Sequence, residues 1–123
     1  MSRSLRVAAE RHGHRSEAIA AWWLRLKLYR IVARRYRTAA GEIDLVVRRG
    51  RVLAFVEVKA RGQLADAAEA LGTRQQQRIA RAAGQFLAAR PDLARLEPRF
   101  DAVLIVRGTW PRHLPDAWRL DGA

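Results

Sequence analysis

Hydrophobic positions recur along this chain with two periods, and the switches between them outline a fold. From about Arg15 to Lys27 the spacing is helical. Ile19, Trp22, Trp23 and Leu26 make one apolar face, and Glu17, Ala20, Ala21 and Leu24 form the adjacent stripe. After Tyr29, RIVARRYRT reads as a short strand bordered by arginines. Ile43 to Arg48 and Val52 to Lys59 read as two more strands, joined at Arg49-Gly50, where glycine supplies the positive φ of a tight hairpin. VLAFVEV is apolar on both faces up to Glu57, which predicts a central strand covered on both sides.

A second helix is marked by Thr73 and Gln76 at capping-box spacing, by an apolar stripe of Ile79, Ala82, Ala83, Phe86 and Leu87, and by Pro91 as its stop. FDAVLIV, residues 100 to 106, reads as a last buried strand, and the tail from Gly108 has Trp110 and Trp118 as anchors. The order α-β-β-β-α-β predicts an α/β fold, a mixed sheet flanked by helices. A length of 123 residues suits a single domain, 1–123, with its core in about 13–107 and a tail in 108–123.

Charge adds a partner to this picture. The chain carries 24 basic and 12 acidic residues, a net +12, and residues 1–65 hold 15 of the basic and 5 of the acidic ones. So concentrated an excess points to a polyanion, with nucleic acid ahead of a solvated arginine-rich surface. A membrane is not expected: the longest apolar run, AIAAWWL, falls far short of the roughly 20 residues of a span, and no amphipathic anchor is legible. The absence of cysteine removes disulfides and thiolate metal sites and agrees with a reducing, cytoplasmic setting.

Three charges interrupt the apolar hairpin. With the turn at Arg49-Gly50, Arg48 faces Arg51 and Asp44 lies opposite Phe55. Alternation then projects Asp44, Phe55, Glu57 and Lys59 from one face, while Ile43, Leu45, Val47, Val52, Ala54, Val56 and Val58 fill the other. Asp44 and Glu57 become diagonal neighbours, about 7 to 8 Å apart at Cα, a gap that a divalent cation about 2.1 to 2.5 Å from each carboxylate oxygen bridges. Without it the carboxylates repel and one pKa rises. Lysine is itself informative, because only Lys27 and Lys59 among the 24 basic residues are not arginine. A compact ammonium fits beside a metal-bound water and a phosphate oxygen where a planar guanidinium is bulky. The alternative is a partly buried ion-pair cluster held for fold specificity.

An aspartate on one hairpin strand followed by E-x-K on the next resembles the PD-(D/E)XK nuclease superfamily. The segments RSEAIAAWWL, GEIDLVV, FVEVKAR and RFDAVLIV together resemble the uncharacterised bacterial YraN-like family, distantly similar to archaeal Holliday-junction resolvases, over about Gly13 to Trp118. The resemblance implies a restriction-endonuclease-like fold and a metal-dependent nuclease. Asp44, Glu57 and the Val58 carbonyl would hold Mg²⁺ or Mn²⁺, Lys59 would position the attacking water, and Glu17 would stand behind them. The substrate would be structured DNA ahead of RNA, and cutting both strands of a junction would favour a homodimer. A non-catalytic nucleic-acid-binding or assembly module is the other reading.

Two departures from the family pattern are visible. Gln75, Gln76 and Gln77 stand where relatives often carry a basic residue, and Leu28 stands where a glycine often follows the first helix. Gln75 remains a candidate contact to water or phosphate, and Gln76 is equally the capping partner of Thr73. Arg34, Arg35, Arg37 and Arg61 are the candidate backbone contacts, with a charged edge strand as the alternative for the first three. Glu42 is expected to form salt bridges, and Arg99 and Asp101 to order the last strand. His12, His14 and His113 lack a ligand spacing and are expected at the surface. No basic run interleaved with aromatics marks a single-strand stacking platform.

Overall fold

The computed structural model describes residues 3–61 and 72–119. Among these, helix α1 (Arg3–Leu26) leads into strands β1 (Arg30–Arg37), β2 (Glu42–Arg49) and β3 (Val52–Arg61). Helix α2 (Thr73–Ala89), a short 3-10 turn (Pro91–Leu93), β4 (Glu97–Val106) and β5 (Arg112–Leu114) follow. The strands form one mixed sheet in the order β1-β2-β3-β4-β5, antiparallel except for the β3–β4 pair. The expected mixed α/β architecture is present, with one edge strand more than the sequence pattern showed. β5 is three residues long and lies between two prolines, too short to carry a period of its own.

Helices cover the two sheet faces. On one, Ala20, Ala21 and Leu24 of α1 pack with Tyr29 against Leu45, Val47, Ala54, Val56 and Val103. On the other, Ile79, Ala82, Ala83 and Phe86 of α2 pack against Val46, Leu53 and Phe55. The Phe86 ring meets Phe55 and Tyr36 edge to face at 5.8 and 5.0 Å. Each such pair adds roughly 0.5–1.5 kcal/mol to simple burial. Leu87 is only partly buried against this cluster.

The face of α1 is the reverse of the one expected. Ala20, Ala21 and Leu24 are buried, whereas Trp22 is 48% and Leu26 58% exposed. Both stripes are apolar, so volume decides: two alanines let the helix backbone approach the sheet, and indoles there would hold it off. The helix closes with Leu28 N–H donating to Arg25 O at 2.9 Å and Tyr29 N–H to Leu24 O at 3.0 Å. This is the Schellman pattern, and it forces Leu28 to φ +70°, a conformation that favours glycine.

The β2–β3 hairpin is shifted by one residue. Arg49 pairs with Val52, so the two-residue loop is Gly50-Arg51, with positive φ at Gly50 and not at Arg51. Glycine at the first loop position is the signature of a II′ turn, whose twist matches the strands. Phe55 consequently faces Val46 and not Asp44. Alternation also breaks at the far end of β2, where Ile43 joins the α2-side core while Leu45 and Val47 join the α1 side.

Two further expectations change. Thr73 is the first residue of α2 and not its cap: Gly72 is the N-cap, without a side-chain bond, and its carbonyl accepts Gln76 N–H at 3.0 Å. In the tail Trp118 is buried and stacks on Phe100 at 4.2 Å, but Trp110 is 73% exposed.

Candidate active site

The site is assembled where β2 and β3 diverge. The β1–β2 connection is tied by Thr38, whose N–H donates to Gly41 O and whose hydroxyl oxygen accepts the Ala40 and Gly41 N–H groups. β2 then brings Asp44 to the strand carrying Glu57. Asp44 Oδ2 accepts the Val58 N–H at 2.8 Å, so a carboxylate binds β3 just beyond the Leu45–Val56 pair of the β2–β3 ladder. Asp44 therefore meets the Glu57-Val58 segment directly.

Alternation along β3 aims Glu57 and Lys59 to one side. Glu57 is buried, 6% exposed, with Lys59 Nζ 3.3 Å from its Oε1 and Gln75 Nε2 of α2 donating to the same oxygen at 3.3 Å. The negative charge of Asp44 acts directly on Glu57. Burial, followed by the charge of Asp44, pushes Glu57 up to about 7, and Lys59 only partly offsets them. Burial raises Asp44 as well, against the Val58 N–H that favours its anion. The physical cause is that two carboxylates compete for one ammonium.

Glu17 lies on the buried face of α1 and is directed to β1. Its Oε1 accepts Arg34 Nε at 3.2 Å, and its Oε2 is 3.7 Å from Arg35 Nε. Burial raises its pKa, Arg34 opposes this, and the charge of Asp44 adds to the rise. Arg35, at φ +50°, also stands 3.4 Å from Glu42, which accepts Arg37 Nε at 3.1 Å. Arg34, Arg35 and Arg37 thus form a ladder with Glu17 and Glu42 beside the site, three guanidinium groups on two carboxylates. The side chain of Arg61 lies outside the described residues, as does that of His12.

Sequence reasoning brought Asp44, Glu57 and Lys59 to one face, and the structure keeps them together with a different Asp44 register and adds Gln75, which was expected as a contact to water or phosphate. Among the described residues no three His, Asp or Glu side chains converge as a metal cluster. The oxygen donors at hand are two carboxylates and main-chain carbonyls, a hard set of the kind Mg²⁺ takes when it keeps several waters.

One buried cluster was missed. His113, expected at the surface, is buried in β5, and its Nε2 bonds Asp101 Oδ2 at 2.7 Å. Asp101 is fully buried and accepts Arg99 Nε and a second Arg99 nitrogen, both at 2.8 Å, and Asp116 N–H at 3.0 Å. Arg99 also donates to the Tyr29 hydroxyl at 2.7 Å, and Lys27 donates to His113 Nδ1. The rarity of lysine that singled out Lys59 applies equally to Lys27 and would have flagged this network.

Over residues 16–105 the sequence matches the family described as Uncharacterised protein family UPF0102. The chain belongs to that family. It is 63% identical over 113 residues to a UPF0102 protein of Parvibaculum lavamentivorans, covering 92% of this chain and 85% of the relative. It is 53% identical over 118 residues to one of Paramagnetospirillum magneticum, covering 93% and 92%. A third, from Rhodopseudomonas palustris, is 61% identical over 113 residues, covering 92% and 84%. The YraN-like resemblance is this family membership.

Proposed function

We propose that this UPF0102 protein is a divalent-metal-dependent nuclease of the PD-(D/E)XK type, with a restriction-endonuclease-like core and a nucleic-acid substrate, structured DNA ahead of RNA. One observation carries the reading: among the described residues the half-buried Asp44 and the buried Glu57 stand together with Lys59 as their counter-charge, so two carboxylates face one ammonium. Asp44, Glu57 and the Val58 carbonyl are the residues that would hold Mg²⁺ or Mn²⁺. Such an ion supplies charge neutralisation on the phosphate and a lower pKa for the attacking water.

The chain's own residues do the rest. Lys59, anchored on Glu57, is the donor for the attacking water and a phosphate oxygen. Gln75 holds Glu57 from the α2 side. Glu17 fixes Arg34 and Arg35 beside the site, where the basic N-terminal half supports the phosphate backbone. Water adds to phosphorus as the bond to the leaving sugar oxygen breaks; that oxygen gains a proton from solvent, and the water's proton is released.

The test is cleavage of branched, duplex and single-stranded DNA and of RNA, with Mg²⁺ or Mn²⁺, by wild type and Glu57→Ala. Cleavage lost in the variant supports the reading; no cleavage above the variant on any substrate overturns it. A non-catalytic nucleic-acid-binding module is favoured because, among the described residues, no three metal-ligating side chains are grouped at the site. It predicts salt-dependent binding that survives Asp44→Asn and no stabilisation by Mn²⁺.

A further inference from the structure

The exposed indoles are not explained by the proposed catalytic site. Trp22 and Trp110 are 48% and 73% exposed, far more than a large apolar side chain needs to be, and Trp23 joins them into one cluster. Trp23 and Trp110 stack with centroids 5.8 Å apart and planes at 26°, and Trp22 and Trp23 lie 6.2 Å apart, tilted by 48°. Eighty-seven positions separate Trp23 from Trp110, so only the fold makes this surface. One face of Trp110 rests on Trp23, and its high exposure leaves the other open to solvent. Contiguous exposed apolar surface of this kind marks an interaction site.

Charge decides the occupant. Helical spacing puts Arg15, Trp22, Arg25 and Leu26 on one outward stripe of α1, and all four are exposed. The exposed charges in residues 18–28 and 105–115, the two segments that carry the indoles, are Arg25, Arg107 and Arg112, and neither segment contains Asp or Glu. A second copy docked there would bring cations against cations. A strand of unpaired nucleotides satisfies both features, because bases stack on indoles and phosphates pair with guanidinium groups.

We infer that the Trp22–Trp23–Trp110 surface binds unpaired bases of a nucleic acid, so that the preferred ligand carries a single-stranded segment. The inference rests on the nucleic-acid ligand of the proposed function and adds a second contact on a different face of α1 from Glu17. The aromatic-basic platform that no stretch of sequence carries is built here from two distant segments.

Binding of the full-length protein to fluorescent oligothymidylate, oligouridylate and a blunt duplex, measured in EDTA, separates this contact from cleavage. Trp110→Ala and Trp22→Ala are expected to weaken single-strand binding about ten-fold each while duplex affinity stays within about two-fold. Trp110→Phe is expected to retain most of the affinity, since a ring remains. Equal single-strand affinity in wild type and Trp110→Ala overturns the inference, as does equal loss on single strand and duplex. A wild-type dimer in light scattering that dissociates in Trp110→Ala would assign the surface to a second copy and also overturn it. Absence of cleavage in every condition, with the Trp-dependent single-strand preference intact, removes the catalytic reading alone.

Discussion

Two buried carboxylate clusters share the sheet, and they answer burial in opposite directions. At Asp101, burial by itself would raise the carboxyl, but hydrogen bonds from His113, Arg99 and Asp116 N–H outweigh it and hold the group at about 2. At Glu57 the same desolvation is answered only in part: Asp44 adds to it, Lys59 offsets some of it, and the carboxyl rises to about 7. Each cluster holds one of the protein's two lysines. Burial therefore does not tell a structural carboxylate from a functional one; the number of donors aimed at it does. Asp101 is saturated and stitches β4 to β5 and the tail, whereas Asp44 and Glu57 are held short of positive charge.

The largest effect expected from this contrast is at the saturated cluster. Asp101→Asn turns an acceptor of charged donors into a neutral amide and should cost about 3–5 kcal/mol in urea unfolding. Because the folded pKa of Asp101 lies below its ordinary 3.8, its stabilisation is present above that pH and is lost as pH falls towards 2. The variant should lose that acid-side slope. Equal stability of variant and wild type at pH 7 would show that the network is not the clamp it resembles.

Glu57→Gln should act in the other sense, by up to about 3 kcal/mol. A folded pKa raised from 4.5 to about 7 favours the fold fully below pH 4.5, and that advantage is lost as pH rises through 7. Above pH 7, without divalent ions, wild type holds an ionised Glu57 against Asp44, and the neutral amide should be the more stable protein. Mn²⁺ should raise the melting temperature of wild type at pH 8 and leave Glu57→Gln and Asp44→Asn unmoved. A variant less stable than wild type at pH 8 in EDTA would place Glu57 with Asp101 among the satisfied groups.

The smallest effect lies away from both clusters. Leu28→Gly should stabilise by about 1 kcal/mol, because it relieves the φ +70° of an exposed side chain. Thermal unfolding reads it directly, and a loss of stability would mean that Leu28 contributes packing that its 82% exposure does not suggest.

Local rules made much of this legible. The central strand β3 could be read from VLAFVEV, and i, i+2 alternation sends Glu57 and Lys59 to one side whatever the neighbouring strands do. The stripe of Ile79, Ala82, Ala83 and Phe86 identified α2 and its buried face, since no rival apolar stripe competes. α1 failed that test, carrying two apolar stripes; the one with the larger residues reads as core, and the one with the smaller residues is core.

By itself, then, the sequence determined every element of the sheet and its helices except β5, together with the central strand, the positive charge and the pairing of Glu57 with Lys59, because each depends on residues a few positions apart. The tertiary structure decided the II′ turn that pairs Phe55 with Val46, the contact of Asp44 with Val58, the saturation of Asp101 by His113 and the meeting of Trp23 with Trp110. Those depend on close packing between distant segments, where a single residue of register or the volume of one side chain selects among arrangements that the hydrophobic pattern leaves equivalent.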